Sequence, residues 1–242
     1  MIGTRWKVTE NWRRLLAEFV VITVGVGLAL AVQNWNEHRK ERIAERQYLL
    51  SIAADLEESA EGLHRSRDTA IQNRAALERL IAVAGGEPVP PPADFARDLV
   101  FATYLGLPRL QMTTVEEMVS TGSLGILQDV EFKRTLGKVL EEFRHRSQWN
   151  DNYRRIEYTT EIALRGLVPI EIRTEGERAL ESPEVMAGFD AEAVAETLRA
   201  NEAIVPILED SIWTQARVMS ISGDLLMRMD ELQAMLAEMD LD

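Results

Sequence analysis

The sequence predicts an all-α fold: an N-terminal transmembrane helix continuing into an antiparallel helical bundle of three long and two or more short helices. Three observations lead there. Aromatic residues make up only 6% of the 242 residues, with 14 Gly and 8 Pro, so the aromatic strands and dense turns of an all-β chain are missing. Apolar residues instead recur at three- and four-residue spacing over long stretches, the period of a helix with one buried face. The stretches stop at helix breakers: Gly85-Gly86 and the run from Pro88 to Pro92, then Pro108, Gly122, Pro169, Pro183 and Gly188.

Composition narrows the function classes. A 46% hydrophobic share excludes a disordered chain, and a mean hydropathy of -0.15 excludes a polytopic transporter. Forty acids against 27 bases give a net charge of -13, so no nucleic acid partner is expected. There is no Cys, hence no disulfide framework, thiolate nucleophile or thiolate-bound zinc.

The first element is the apolar run 15–32, LLAEFVVITVGVGLALAV, which carries one charge, Glu18. At 1.5 Å per residue it is about 27 Å long, close to the hydrocarbon thickness of a bilayer. Trp12 and Trp35 bracket it as interface anchors, about 34 Å apart. The expected organisation is a short basic tail over 1–14, a transmembrane helix over 15–35 and a bundle domain over 36–242, with linkers near 85–92 and 169–189. A cleavable signal peptide is the alternative, with Ala29-Leu30-Ala31 as the cleavage site. Glu18 inside the run and Trp35 after it favour the anchor.

Orientation follows from charge. Arg5, Lys7, Arg13 and Arg14 precede the run, and Arg39, Lys40, Arg42 and Arg46 follow it, so the near-flank count is tied. Beyond residue 35 lie 23 bases and 38 acids. The expectation is a cytoplasmic N-terminus and a periplasmic C-terminal domain in a bacterial inner membrane. Within the span, Gly25 with Ala29 and Gly27 with Ala31 form two small-xxx-small faces that would let helix backbones approach in lipid. Glu18, four residues after Arg14, is either neutralised near the headgroups or a polar contact for a second membrane helix.

After Trp35 the first helix is expected to run from Thr9 to about Ala84, with a stripe of Leu49, Ile52, Leu56, Leu63, Ile71, Leu77 and Ile81 and a bend at Gly62. Residues 93–106 predict a short helix. Thr113 and Thr114, followed three residues later by Glu116 and Glu117, predict a capping box on a helix closed by Gly122. Asp129 caps one long helix, with Phe132, Leu136, Val139, Phe143, Trp149, Tyr153, Ile156, Thr160, Ala163 and Leu167 on its face, ended by Pro169. Residues 170–189 read as irregular. A helix restarts after Asp190, is interrupted or kinked at Pro206, and continues with the 4-3-4-3 seam Leu225, Met229, Leu232, Leu236, Met239.

Catalytic patterns are few. Gly122-Ser123-Leu124-Gly125 lacks the length and Lys of a phosphate loop, and HExxH and GxSxG are absent. Glu61 with His64 and Glu142 with His145 are both Glu-x-x-His, the pattern by which ferritin-like bundles hold two metal ions. Arg65, Arg67, Arg144 and Arg146 surround them, unlike the apolar setting of such ligands. No cofactor is therefore expected, and a di-metal carboxylate enzyme stands as the alternative. The 39–46 stretch interleaves bases with Glu41 and Glu45, as on a solvated helix next to headgroups.

Glu18-Phe19, Gly25, Ala29 to Ala31, Trp35-Asn36-Glu37, Thr114 with Glu117, and Thr121-Gly122-x-Leu124 resemble the pattern of an uncharacterised family of bacterial single-pass membrane proteins, classed as a domain of unknown function. The resemblance implies a membrane-anchored helical protein and assigns no catalytic residue. The expected function is a non-enzymatic interaction, scaffold or sensory module. Its expected partners are the lipid bilayer and either a second copy or another membrane protein.

Overall fold

The computed structural model describes residues 6–239, and among them the chain is all-α, with no strand. The helices are α1 (Trp6–Ala84), α2 (Pro92–Phe101), α3 (Thr113–Thr121), α4 (Val130–Ser147), α5 (Asn150–Arg165), α6 (Ile170–Glu175), α7 (Glu177–Leu180), α8 (Pro183–Ala187), α9 (Ala191–Ala200) and α10 (Ile204–Glu238), with a 3-10 turn at Ser123–Ile126. Arg5 and Asp242 lie outside the described residues, as do the side chains of Lys7 and Arg13.

α1 is 79 residues long, about 120 Å at the helical rise. Gly85 and Gly86 stop it, Gly86 taking φ of 101°, which only glycine adopts without strain. The helical ladder continues through Gly62 without interruption, so the expected bend has no break behind it. A Cβ at Gly62 would lie 3.6 Å from the Arg109 carbonyl oxygen, an ordinary contact.

α1 and α10 pair antiparallel. Leu77, Leu80 and Val83 pack in one apolar cluster with Ile204 and Leu208. Leu49, Ile52 and Leu56 pack in a second with Met229, Leu232 and Leu236. Leu49, Ile52, Leu56, Ser59, Leu63, Ser66, Ala70, Asn73, Leu77 and Leu80 of α1 are buried and form a heptad seam spaced 3-4-3-4, with Ala76 and Val83 buried beside it. α10 carries the matching seam, Ile204, Leu208, Ser211, Gln215, Val218, Ser222, Leu225, Met229, Leu232 and Leu236, with Thr214, Ile221 and Leu226 buried beside it. Ile71, expected on the stripe, is exposed, and Ile81 is only half-buried. Their places are taken by Ser66, Ala70 and Asn73.

The remaining elements differ from expectation for local reasons. α2 ends at Phe101 rather than near 106, and residues 102–112 cross the long helices as a non-helical strap. α3 begins without a side-chain cap of its own. Asp55 on α1 supplies it, its Oδ2 accepting from the Thr114 N–H at 2.7 Å, so the Glu116 and Glu117 capping box does not form. Gly122 closes α3 at φ 73°. Asp129 caps α4 through the Phe132 N–H at 2.8 Å.

The expected third long helix is two helices. At Gln148 and Trp149 the backbone stays helical, but the Trp149 N–H bonds Arg146 O at 3.2 Å, a 3-10 step that ends α4 and lets α5 start anew. Residues 170–189 are not irregular. They form α6, α7 and α8, whose Ile172, Ala179 and Leu180 close one end of the core with Phe189. Asp190 caps α9 through the Ala193 N–H at 3.1 Å. The interruption expected at Pro206 lies at Asn201–Ala203. Pro206 is the third residue of α10, where no intrahelical donor is needed.

Candidate functional site

From Arg14 to Ile43 every residue whose side chain is described is exposed, and the first buried residue of α1 is Leu49. The apolar part of this segment makes α1 long and apolar enough to cross a membrane, and 0% of that window is buried. A core helix of a soluble protein buries the same kind of surface, because apolar area left in water is costly. Glu18, Trp12 and Trp35 all stand exposed on this free stretch. Gly25 and Gly27 have nothing within 4 Å of an added Cβ, and Ala29 and Ala31 are exposed beside them, so both small-residue faces are open. Residues 36–48 form about 20 Å of helix between Trp35 and the bundle.

The two Glu-x-x-His pairs are not brought into the core. Glu61, His64 and His145 are exposed, Glu61 lying 3.4 Å from Arg65. Glu142 is half-buried and holds two guanidiniums, Arg146 at 2.6 Å and Arg228 on α10 at 2.7 Å; Arg146 also reaches Asp224 at 3.0 Å. Burial alone would raise the Glu142 pKa, but the bonds from Arg146 and Arg228 outweigh it and hold the carboxyl below its ordinary range. Among the described residues no three His, Asp or Glu converge as metal ligands. The arrangement ties α4 to α10 rather than forming a bundle-core metal pair.

The strap is held by the polar positions of the two seams. Ser59 Oγ accepts from the Gln111 N–H at 2.9 Å, and Ser66 Oγ donates to Gly106 O. Asn73 Nδ2 and Gln215 Nε2 both donate to Tyr104 O, at 2.6 and 3.0 Å. The strap approaches α1 so closely that a Cβ on Gly106 would sit 3.2 Å from the Thr69 side chain. These bonds explain why Ser and Asn occupy buried heptad positions: a non-helical backbone covering the seam must find partners away from water.

Beside the strap lies a half-open cleft of about 390 Å³ between the end of α2, α5 and α6. Leu99 and Leu164 are fully buried in its wall, with Val100 and Val168 beside them. Glu157 of α5 is half-buried in the cleft; Glu161 and Arg165, one and two turns along, pair at 2.7 Å. Arg173 stands exposed on the rim. Burial pushes the Glu157 carboxyl above its ordinary range, against the opposing pull of Arg154 and the Leu105 N–H, while Glu161 adds to the rise. The cleft is not visible in the sequence, where nothing sets Glu157, Glu161 and Arg165, at four-residue spacing, apart from other charged helix positions. No protein-family model, curated protein or solved structure matches the chain.

Proposed function

We propose that the chain is a single-pass, membrane-anchored helical protein whose bundle is a non-enzymatic interaction, scaffold or sensory module. One observation carries the reading: the free apolar stretch of α1 and the central strut of the bundle are the same unbroken helix. A helix without a hinge holds the bundle at a set distance and angle from the bilayer, and movement at one end is passed to the other. The bilayer is the first partner, burying the apolar surface that the bundle leaves bare. The open faces at Gly25 and Ala29 and at Gly27 and Ala31, with Glu18 on the same free helix, support a second copy or another membrane protein as the next.

In this reading the N-terminus is cytoplasmic and the acidic bundle periplasmic in a bacterial inner membrane. Membranes from expressing cells test it. The full-length chain should stay in the pellet through alkaline carbonate and leave it only with detergent; release by carbonate overturns the anchor. Crosslinking in those membranes should give a dimer or a heterologous adduct, and monomer alone contradicts the interaction role. A reporter after Asp242 that is active only in the cytoplasm reverses the orientation.

A further inference from the structure

We infer that the cleft between α2, the strap, α5 and α6 binds a small organic cation, an amine carrying one ring or a short alkyl chain. The volume, about 390 Å³, lies at the lower end of small-molecule pockets. Its inner wall is apolar, built on Leu99, Leu164, Val100 and Val168. The two carboxylates of its lining, Glu157 and Glu161, are half-buried, whereas its two guanidiniums, Arg165 and Arg173, are exposed. Among the described residues no cation lies within 4.0 Å of Glu157, whereas Arg165 farther along the wall is already paired with Glu161 at 2.7 Å.

The bland role for Glu157 is to face the Leu105 N–H of the strap, which with Arg154 favours its charged form against burial. That role leaves a carboxylate with most of its acceptor capacity unused in a partly desolvated wall. An ammonium group placed there, with its carbon body on the apolar wall, satisfies both surfaces at once. Among the lining residues an anion would meet Glu157 and Glu161, with Arg165 paired to Glu161 and Arg173 out on the rim; Arg154, which acts on Glu157 from outside, is not part of the lining. The site stands independently of the membrane anchor. It also borders the segment that is hydrogen-bonded to both long helices, since Leu105 follows Tyr104.

Calorimetric titration of the full-length protein in a non-ionic detergent, with thermal shift alongside, tests the assignment with three probes of one shape: phenethylammonium, 2-phenylethanol and 3-phenylpropionate. Phenethylammonium should bind at least about tenfold more tightly than the other two, the size of one charge-assisted hydrogen bond. Glu157→Gln, which keeps the shape and an oxygen acceptor, should remove that advantage. Thr174→Trp, on the exposed rim, should block the ammonium probe while leaving Glu157 intact. Equal affinity for the three probes, unchanged ammonium binding by Glu157→Gln, or no response to about 10 mM ammonium, the weak limit of specific recognition, overturns the site.

Discussion

Replacing Asn73 by Leu removes the 2.6 Å bond from Nδ2 to Tyr104 O, yet the carbonyl keeps Gln215 at 3.0 Å. A lost hydrogen bond of this kind is worth about 1 kcal/mol net. Against that, Asn73 Oδ1 and Gln215 Oε1 are buried without partners among the described residues, so each substitution also removes an unsatisfied acceptor, a relief of similar size. Asn73→Leu and Gln215→Met, both close in shape, should therefore each change stability by no more than about 1 kcal/mol. The double variant leaves the Tyr104 carbonyl with neither donor in a seam whose side chains are buried, costing a further ~1–2 kcal/mol beyond the sum. Urea unfolding of the four full-length proteins in non-ionic detergent, followed by far-UV circular dichroism, gives the cycle directly. Additivity within about 0.5 kcal/mol would refute the shared-acceptor reasoning. So would a loss above about 3 kcal/mol from Asn73→Leu alone, because a single replaceable donor cannot be worth so much.

Other substitutions probe the rest of the scaffold. Leu56→Ala, at a fully buried seam position, should cost about 2–5 kcal/mol in the same unfolding assay. Asp55→Ala removes the cap that α1 lends to α3 and should cost about 1 kcal/mol, with faster amide exchange in the first turn of α3. Glu142, with its folded pKa held down, contributes stability above the ordinary glutamate range and loses it as pH falls through the folded value. Glu142→Gln should thus lose about 1 kcal/mol at pH 7, and a stability–pH series should show the gap from the native protein closing in acid. Glu157 has the opposite sign: its raised pKa means that ionisation opposes folding as pH rises from the ordinary glutamate range through the folded value. Glu157→Gln should therefore raise the midpoint of thermal unfolding at pH 7, and a lowered midpoint would contradict the sign.

Much of the architecture is legible because it rests on local chemistry. Gly85-Gly86, Gly122, Asp129 and Asp190 stop or start helices by their own backbone or side-chain properties, and the Leu225 to Met239 seam is apolar at every step. The misses come from long-range partners. Ser59, Ser66 and Asn73 sit in a heptad seam, but a reading that follows only apolar residues skips them and picks Ile71 instead. They are polar because the strap, 31 to 52 residues away in sequence, needs hydrogen-bond partners. The Asp55 cap, 59 residues from its helix, is hidden for the same reason. The slip at Trp149 has neither Pro nor Gly to announce it. The cleft is harder still: Glu157 differs from any exposed glutamate only through the α2 and α6 residues folded over it.

The chain contains no Cys, so single-Cys variants can be labelled without background. The most direct measurement is the rate at which a water-soluble maleimide modifies Cys at positions 22, 26, 50 and 162 in sealed native membranes. All four positions are exposed in the protein itself. Lipid burial predicts that 22 and 26 stay protected until detergent is added, while 50 and 162 react from one side of the membrane only. Labelling of 22 and 26 as fast as 50 and 162 would contradict a membrane-embedded helix and the function built on it.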